Sequence, residues 1–250
     1  MSLRLEISGR VARLLIDRAA KRNAFDQAMW LQLPTLLERA VADETVRLIV
    51  LKSAEPGVFC AGADIGELAA NAENEAWRDA NQAAINAAQY TLTRAAKPVI
   101  AMIDGDCIGG GCGLALACDL RVATPRARFG ITPAKLGLVY PLHDTKLLVD
   151  LVGPAKAKEI LFTGTLIDAG EAHRIGLINR VDDSADHVIE TMLSTSGHSQ
   201  REAKRMIRRI LDGQAEDDAD SLARFADAFT RPDFREGVTA FLAKRKASFE

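Results

Sequence analysis

No stretch of this sequence approaches the ~20 consecutive apolar residues that a membrane span requires. The opening Met-Ser-Leu-Arg-Leu-Glu-Ile-Ser also lacks an apolar signal core. A soluble, cytoplasmic protein is the expectation. Charge of one sign is not in excess: 32 Lys and Arg against 34 Asp and Glu leave a net charge of −2. The basic residues are scattered, which argues against nucleic acid as the main partner. Cysteine is sparse, and Cys60, Cys107, Cys112 and Cys118 include no C-x-x-C pair, so no metal site is expected. Three of the four lie in or beside a glycine-rich apolar segment, as small core residues in a reducing compartment do. No internal repeat or low-complexity linker interrupts the 250 residues. What is present, 48% hydrophobic and 26% charged, describes a globular chain with apolar mass enough for a sizeable core.

The chain is organised around Val99 to Asp119. Val99 to Ile103 reads as a buried strand, Gly105 and Asp106 as turn residues, and Leu114 to Cys118 as a buried helix. Between them stand Gly109, Gly110 and Gly111. Successive glycines before a helix leave the backbone bare, and the first N–H groups of a helix have no internal partner and carry the positive end of its dipole. Such a junction can hold a negative oxygen; it can equally serve close packing of helix on strand. A dinucleotide fingerprint is excluded, because Leu116 stands where the third glycine belongs.

Leu3 to Ile7 and Val11 to Ile16 predict a hairpin, Asp17 to Asn23 a basic loop, and Asp26 the cap of a helix reaching Ala42 and kinked at Pro34. Leu48 to Leu51 predicts a third strand, and Ser53 to Gly62 a loop. Asp64 with Glu67 marks a helix from Ile65, and Glu73 to Ala95 a long helix. Leu120 to Ala123 and Ala127 to Phe129 predict short strands, Thr132 to Pro141 a loop, and Asp144 the opening of a further helix. Beyond Pro154 the pattern is helical throughout. Alternation of strand and helix predicts an α/β fold with parallel crossovers, dividing into an α/β core over 1–152 and a helical region over 153–250.

Six segments in register carry a resemblance: Lys21-Arg22-Asn23-Ala24-Phe25, Phe59 to Ile65, Lys97 to Ala101 leading into Gly109-Gly110-Gly111-Cys112, Cys118-Asp119, Phe129-Gly130, and Glu236 to Lys246. With them the chain resembles the crotonase superfamily, the enoyl-CoA hydratase/isomerase family, over almost its whole length. The resemblance implies a spiral of ββα units with a C-terminal helical trimerisation region, and a homotrimer or dimer of trimers. It implies an acyl-CoA substrate, with coenzyme A as part of the substrate and no separate cofactor. The thioester carbonyl would lie between the backbone N–H groups of Ala63 and Gly110, donors that favour an enolate oxygen over a neutral carbonyl. Lys21 and Arg22 are candidate phosphate partners or a solvated basic turn. Ala24, Ala61, Asp64, Ile65 and Thr132 fall at CoA-binding positions. Phe241 and Lys244 match positions that reach the nucleotide of a neighbouring subunit, although Lys244 also suits a helix end by its charge alone.

Hydratases of this family use two glutamates, and the corresponding positions here are Gly113 and Pro133, neither able to carry a proton. His143 is then either a general acid or base or an exposed loop histidine. Asp144 is either a helix N-cap or a replacement carboxylate. The stretch Thr132 to Tyr140 resembles that of methylmalonyl-CoA decarboxylases, in which the tyrosine sits by the acyl group. Tyr140 would orient a carboxylate, relay a proton or simply pack on the acyl chain. Decarboxylation needs no base, so the sequence ranks it slightly above hydration through His143 or Asp144. Isomerisation, thioester hydrolysis and a non-catalytic CoA-binding subunit are the alternatives.

Overall fold

Leu3–Ser8 and Val11–Ile16 pair antiparallel as β1 and β2, the hairpin predicted from their apolar runs. A computed structural model describes this and the rest of residues 2–249. Asp26 accepts from the Met29 N–H at 2.9 Å and caps α1 (Gln27–Ala42), which continues through Pro34 as one helix. Its buried residues, among them Trp30, Leu33 and Leu37, form the apolar stripe that holds it on the core.

A three-part unit then repeats: a strand in a large sheet, a short strand in a small sheet, then helix. The first turn is β3 (Leu48–Ser53), β4 (Val58–Cys60), α2 (Ile65–Ala70) and α3 (Glu75–Arg94). The second is β5 (Val99–Ile103), β6 (Asp106–Ile108) and α4 (Gly110–Ala117). The third is β7 (Leu120–Ala123), β8 (Arg128–Gly130) and α5 (Leu142–Thr163). The large sheet therefore runs β1-β2-β3-β5-β7 with every pair after the hairpin parallel, and the small one runs β4-β6-β8, also parallel. This is the mixed α/β spiral of ββα turns that the resemblance implies.

Three expectations need correction. Ser53 to Gly62 and Asp106 contain strands β4 and β6, each only three residues long and too short to show a period. Asp144 does not cap a helix: α5 starts at Leu142 with Pro141 at the cap position, and breaks at Gly153, whose φ is +74°. The α/β part does not end at 152. Beyond it, β9 (Ile167–Asp168) pairs with β8, α6 (Ala169–Arg174) follows, and β10 (Arg180–Val181) pairs with β7. One compact unit accordingly comprises the chain to Ala95 with Val99–Ala185. The other comprises Ala96–Pro98 and the chain from Asp186, with α7 (Asp186–Leu193), α8 (Gly197–Leu211), α9 (Ala219–Ala228) and α10 (Pro232–Leu242). Among the described residues no helix is long and apolar enough to cross a membrane.

Candidate active site

The site is built at the junctions where successive turns of the spiral leave the small sheet. After β4 the chain runs alongside the segment Arg22 to Phe25: Ala61 N–H donates to the Arg22 carbonyl at 3.0 Å, Phe25 N–H to the Gly62 carbonyl at 2.7 Å, and Asp64 N–H to the Phe25 carbonyl at 2.8 Å. Two of the recognised motifs are thereby held side by side, and Ala63 sits between pinned neighbours with its own N–H free among the described residues. After β6, Gly109 turns the chain with φ +54° and leaves Gly110 as the first residue of α4, where its N–H has no helical partner. The two junctions touch. A Cβ on Gly110 would lie 3.5 Å from the Ala63 nitrogen, and one on Gly62 (φ +97°) would lie 3.1 Å from the Gly110 nitrogen and 2.9 Å from the Ile108 carbonyl. Glycine at 62 is what lets the two amides approach each other.

Ala63 and Gly110 open on a cavity of about 440 Å³, walled by Trp30 of α1, by Ile85 and Gln89 of α3, and by Pro133, Tyr140 and Asp144 from the third junction. The cavity is largely apolar, and Asp144 is the carboxylate on its wall. Only 1% of Asp144 is exposed. Its Oδ2 accepts from Gln89 Nε2 at 2.9 Å, and its Oδ1 lies 3.4 Å from His143 Nδ1. Burial raises its pKa above the ordinary carboxylate value, opposed chiefly by the hydrogen bond from Gln89 and by His143 beside it. The Tyr140 hydroxyl donates to the Gly109 carbonyl at 3.3 Å. Burial and the negative charge of Asp144 push its pKa far up, so Tyr140 holds its proton at neutral pH.

The position that lacks its glutamate lies directly against this carboxylate. A Cβ on Gly113 would fall 2.6 Å from Asp144 Oδ2 and 2.5 Å from Gln89 Nε2. Asp144 thus brings a carboxyl group, from another helix, to the flank of the glycine where the resemblance led one to look for a glutamate. Helix propensity alone favours Gly113→Ala by about 1 kcal/mol, whereas overpacking a core costs about 1–3 kcal/mol. The substitution is therefore expected to lower Tm in thermal denaturation; an unchanged or raised Tm would show that the Gln89–Asp144 pair yields without cost.

The remaining candidates divide. His143 is not exposed loop but the second residue of α5, its side chain 15% exposed and its ring stacked on Tyr90 at 4.5 Å; it backs Asp144 and does not line the cavity. Arg22 Nη2 is engaged by Asp106 Oδ2 at 2.5 Å, a carboxylate shared with Arg128, while Lys21 is exposed. Asp64 caps α2 through the Gly66 and Glu67 N–H groups and pairs with Arg18 at 2.8 Å, which holds its carboxyl below the usual range. Ala24 is buried, Ala61 and Thr132 are partly buried, and Ile65 is half exposed. Phe241, 82% exposed, and Lys244, in the left-handed region at φ +50°, belong to the second unit. Cys60, Cys107, Cys112 and Cys118 are buried thiols outside any disulfide among the described residues, and burial pushes the Cys60 thiol up to about 12. Among the described residues no three His, Cys, Asp or Glu side chains are grouped to hold a metal ion. Gln89 is the residue that sequence reasoning missed. Its signal was an amide set into the buried stripe of α3 beside Ala84, Ala88 and Leu92.

Known proteins align along the whole chain. The sequence profile of the family described as enoyl-CoA hydratase/isomerase matches residues 6–250. A crotonyl-CoA hydratase of Syntrophomonas wolfei is 33% identical, the alignment covering 98% of this chain and 96% of the relative. A short-chain-enoyl-CoA hydratase of Clostridium acetobutylicum is 32% identical over 97% and 95%. Among solved structures, an enoyl-CoA hydratase/isomerase family protein from Hyphomonas neptunium superposes with a TM-score of 0.95 at 40% identity, covering 100% of this chain and 98% of that one.

Proposed function

Because the chain belongs to the enoyl-CoA hydratase/isomerase family of enzymes acting on acyl-CoA, we propose that it adds water across the double bond of a 2-enoyl-CoA thioester, with Asp144 carrying the proton. The observation that supports this is the convergence of one buried carboxyl group and two unengaged backbone amides on one apolar cavity. Ionised Asp144 takes a proton from water as the water oxygen bonds to the β-carbon. The π electrons move onto the thioester oxygen, which Ala63 and Gly110 receive as an enolate. Asp144 then returns the proton to the α-carbon, and the enolate collapses to the thioester. Pro133 carries no proton, so both transfers fall to one group. Its raised pKa makes Asp144 a stronger base than an ordinary carboxylate, as taking a proton from water requires. Coenzyme A enters as part of the substrate, with no separate cofactor.

The ranking of decarboxylation above hydration loses its support. It rested on the missing carboxylates, and an ionised Asp144 at the cavity wall repels a malonyl-type carboxylate. The relatives named above are hydratases. A second reading, migration of the double bond in a 3-enoyl-CoA, is favoured by the single proton carrier, since moving one proton from the α- to the γ-carbon through a dienolate needs one base. Purified protein is expected to bleach the enoyl absorbance of crotonyl-CoA and to release no CO₂ from methylmalonyl-CoA. CO₂ release without hydration would overturn the proposal, and turnover of a 3-enoyl-CoA alone would select the second reading.

A further inference from the structure

The buried face of α3 carries an amide that the core does not need. Gln89 is fully buried, and its Nε2 has one hydrogen bond, to Asp144 Oδ2 at 2.9 Å. Its Oε1 is buried without a partner among the described residues. An amide with one end unsatisfied is a liability to a fold, and on the same stripe, which also carries Asn81 at its start, the positions nearest Gln89 are Ala84, Ala88 and Leu92. A methionine or leucine would fill that volume without the penalty. Besides a place on the cavity wall, the amide supplies a hydrogen bond to Asp144. Gly113 opposite is the complement, because any side chain there would strike both Gln89 Nε2 and Asp144 Oδ2.

We infer that Gln89 is a positioning residue for the proton-carrying Asp144, fixing the carboxylate against the cavity wall and favouring its ionised form, at a cost to the stability of the core. This rests on the proposed role of Asp144. The carboxylate has few other supports: His143 and Tyr140 face it from its own segment, and Cys112 and Cys107 are the titratable groups beyond Tyr140. His143 at 3.4 Å is a longer and weaker contact than the amide. The donor from α3 is thus the short hydrogen bond that ties the carboxylate to a different element of the fold.

The test is a double-mutant cycle on crotonyl-CoA hydration with Gln89→Met, Asp144→Asn and the pair. Gln89→Met is expected to lower kcat by roughly 30-fold and leave KM within about twofold, because a group acting through another changes the chemical step and not binding. It should also move the acidic limb of the kcat profile to higher pH, since the carboxylate loses a donor. In the Asp144→Asn background the same substitution should change the residual rate by less than about twofold. A Gln89→Met enzyme within threefold of the original, or one whose loss recurs in full in the Asp144→Asn background, would overturn the inference. A measurement that needs no variant at 89 guards against misfolding. The side-chain amide resonances of Gln89 should follow pH with the midpoint of the acidic limb, and should stop doing so in Asp144→Asn. Resonances indifferent to pH would overturn the pairing. Resonances that titrate in a protein with no hydratase or isomerase turnover would overturn the reaction assigned, leaving the pairing in place.

Discussion

Asp144→Asn is expected to lower kcat for crotonyl-CoA hydration by about 10³-fold, within the 10²–10⁴ that a positioned acid–base group contributes. KM should change little, because the substitution preserves shape and leaves both backbone amides in place. The same variant should be more stable than the original protein at alkaline pH. The fold raises the pKa of Asp144, burial being the main cause. It therefore favours the neutral acid. Stability tied to this group is intact below the ordinary carboxylate pKa and is lost as pH rises through the raised value. Asparagine has no such transition. Near pH 8 Asp144→Asn should melt higher, by some 2–4 °C for each ~1 kcal/mol in a domain of this size, and the advantage should shrink as pH falls toward 4. A slow enzyme with a lower Tm at every pH would mean that the carboxylate is structural. Unchanged turnover would remove it from the chemistry.

The second large effect concerns the amide of Gly110. Gly110 is the first residue of α4, a helical position that favours proline because its N–H has no helical partner in any case. Gly110→Pro therefore deletes the donor while leaving the helix its required dihedral. Removal of one oxyanion donor costs about 10²–10³ in rate, and a loss of that size is expected. Gly110→Ala is the control: it keeps the N–H, and its Cβ meets Trp30 and Ala63 at 3.4 and 3.5 Å, ordinary contact distances. It should retain at least a tenth of the activity. Circular dichroism should show helix content preserved in both. Equal loss in the two variants would falsify the donor role and leave crowding as the cause.

Much of this architecture was legible in the residues. Apolar runs marked β1, β2, β3, β5 and β7, and Asp26 and Asp64 announced the starts of α1 and α2, where each side chain accepts from the first turn. Of the small sheet β8 was legible, but β4 and β6 were not, because Val58–Cys60 and Asp106–Ile108 are too short for alternation to register and are held by their neighbours. The amide pair was foreseeable from glycines followed by a helix, whereas its acidic partner was not. Asp144 has the spacing of a cap, and nothing local reveals that Pro141 and Leu142 start the helix earlier and turn the carboxylate inward. Nor can linear register show that a group lost at Gly113 has a counterpart arriving from a different helix. Gln89 was overlooked because its stripe was read for apolar residues, and the informative residues are the polar ones set among them, Asn81 and Gln89.

Because the proposed donors for the thioester oxygen and the proposed proton carrier leave the small sheet at different junctions, polarising the substrate and choosing its fate are separable tasks in the proposed mechanism. The loop between β8 and α5 can be rewritten while the β4 and β6 exits stay as they are. Altered chemistry is then to be sought by grafting residues 131–144, and a graft that changes the product should leave affinity for the acyl thioester nearly untouched.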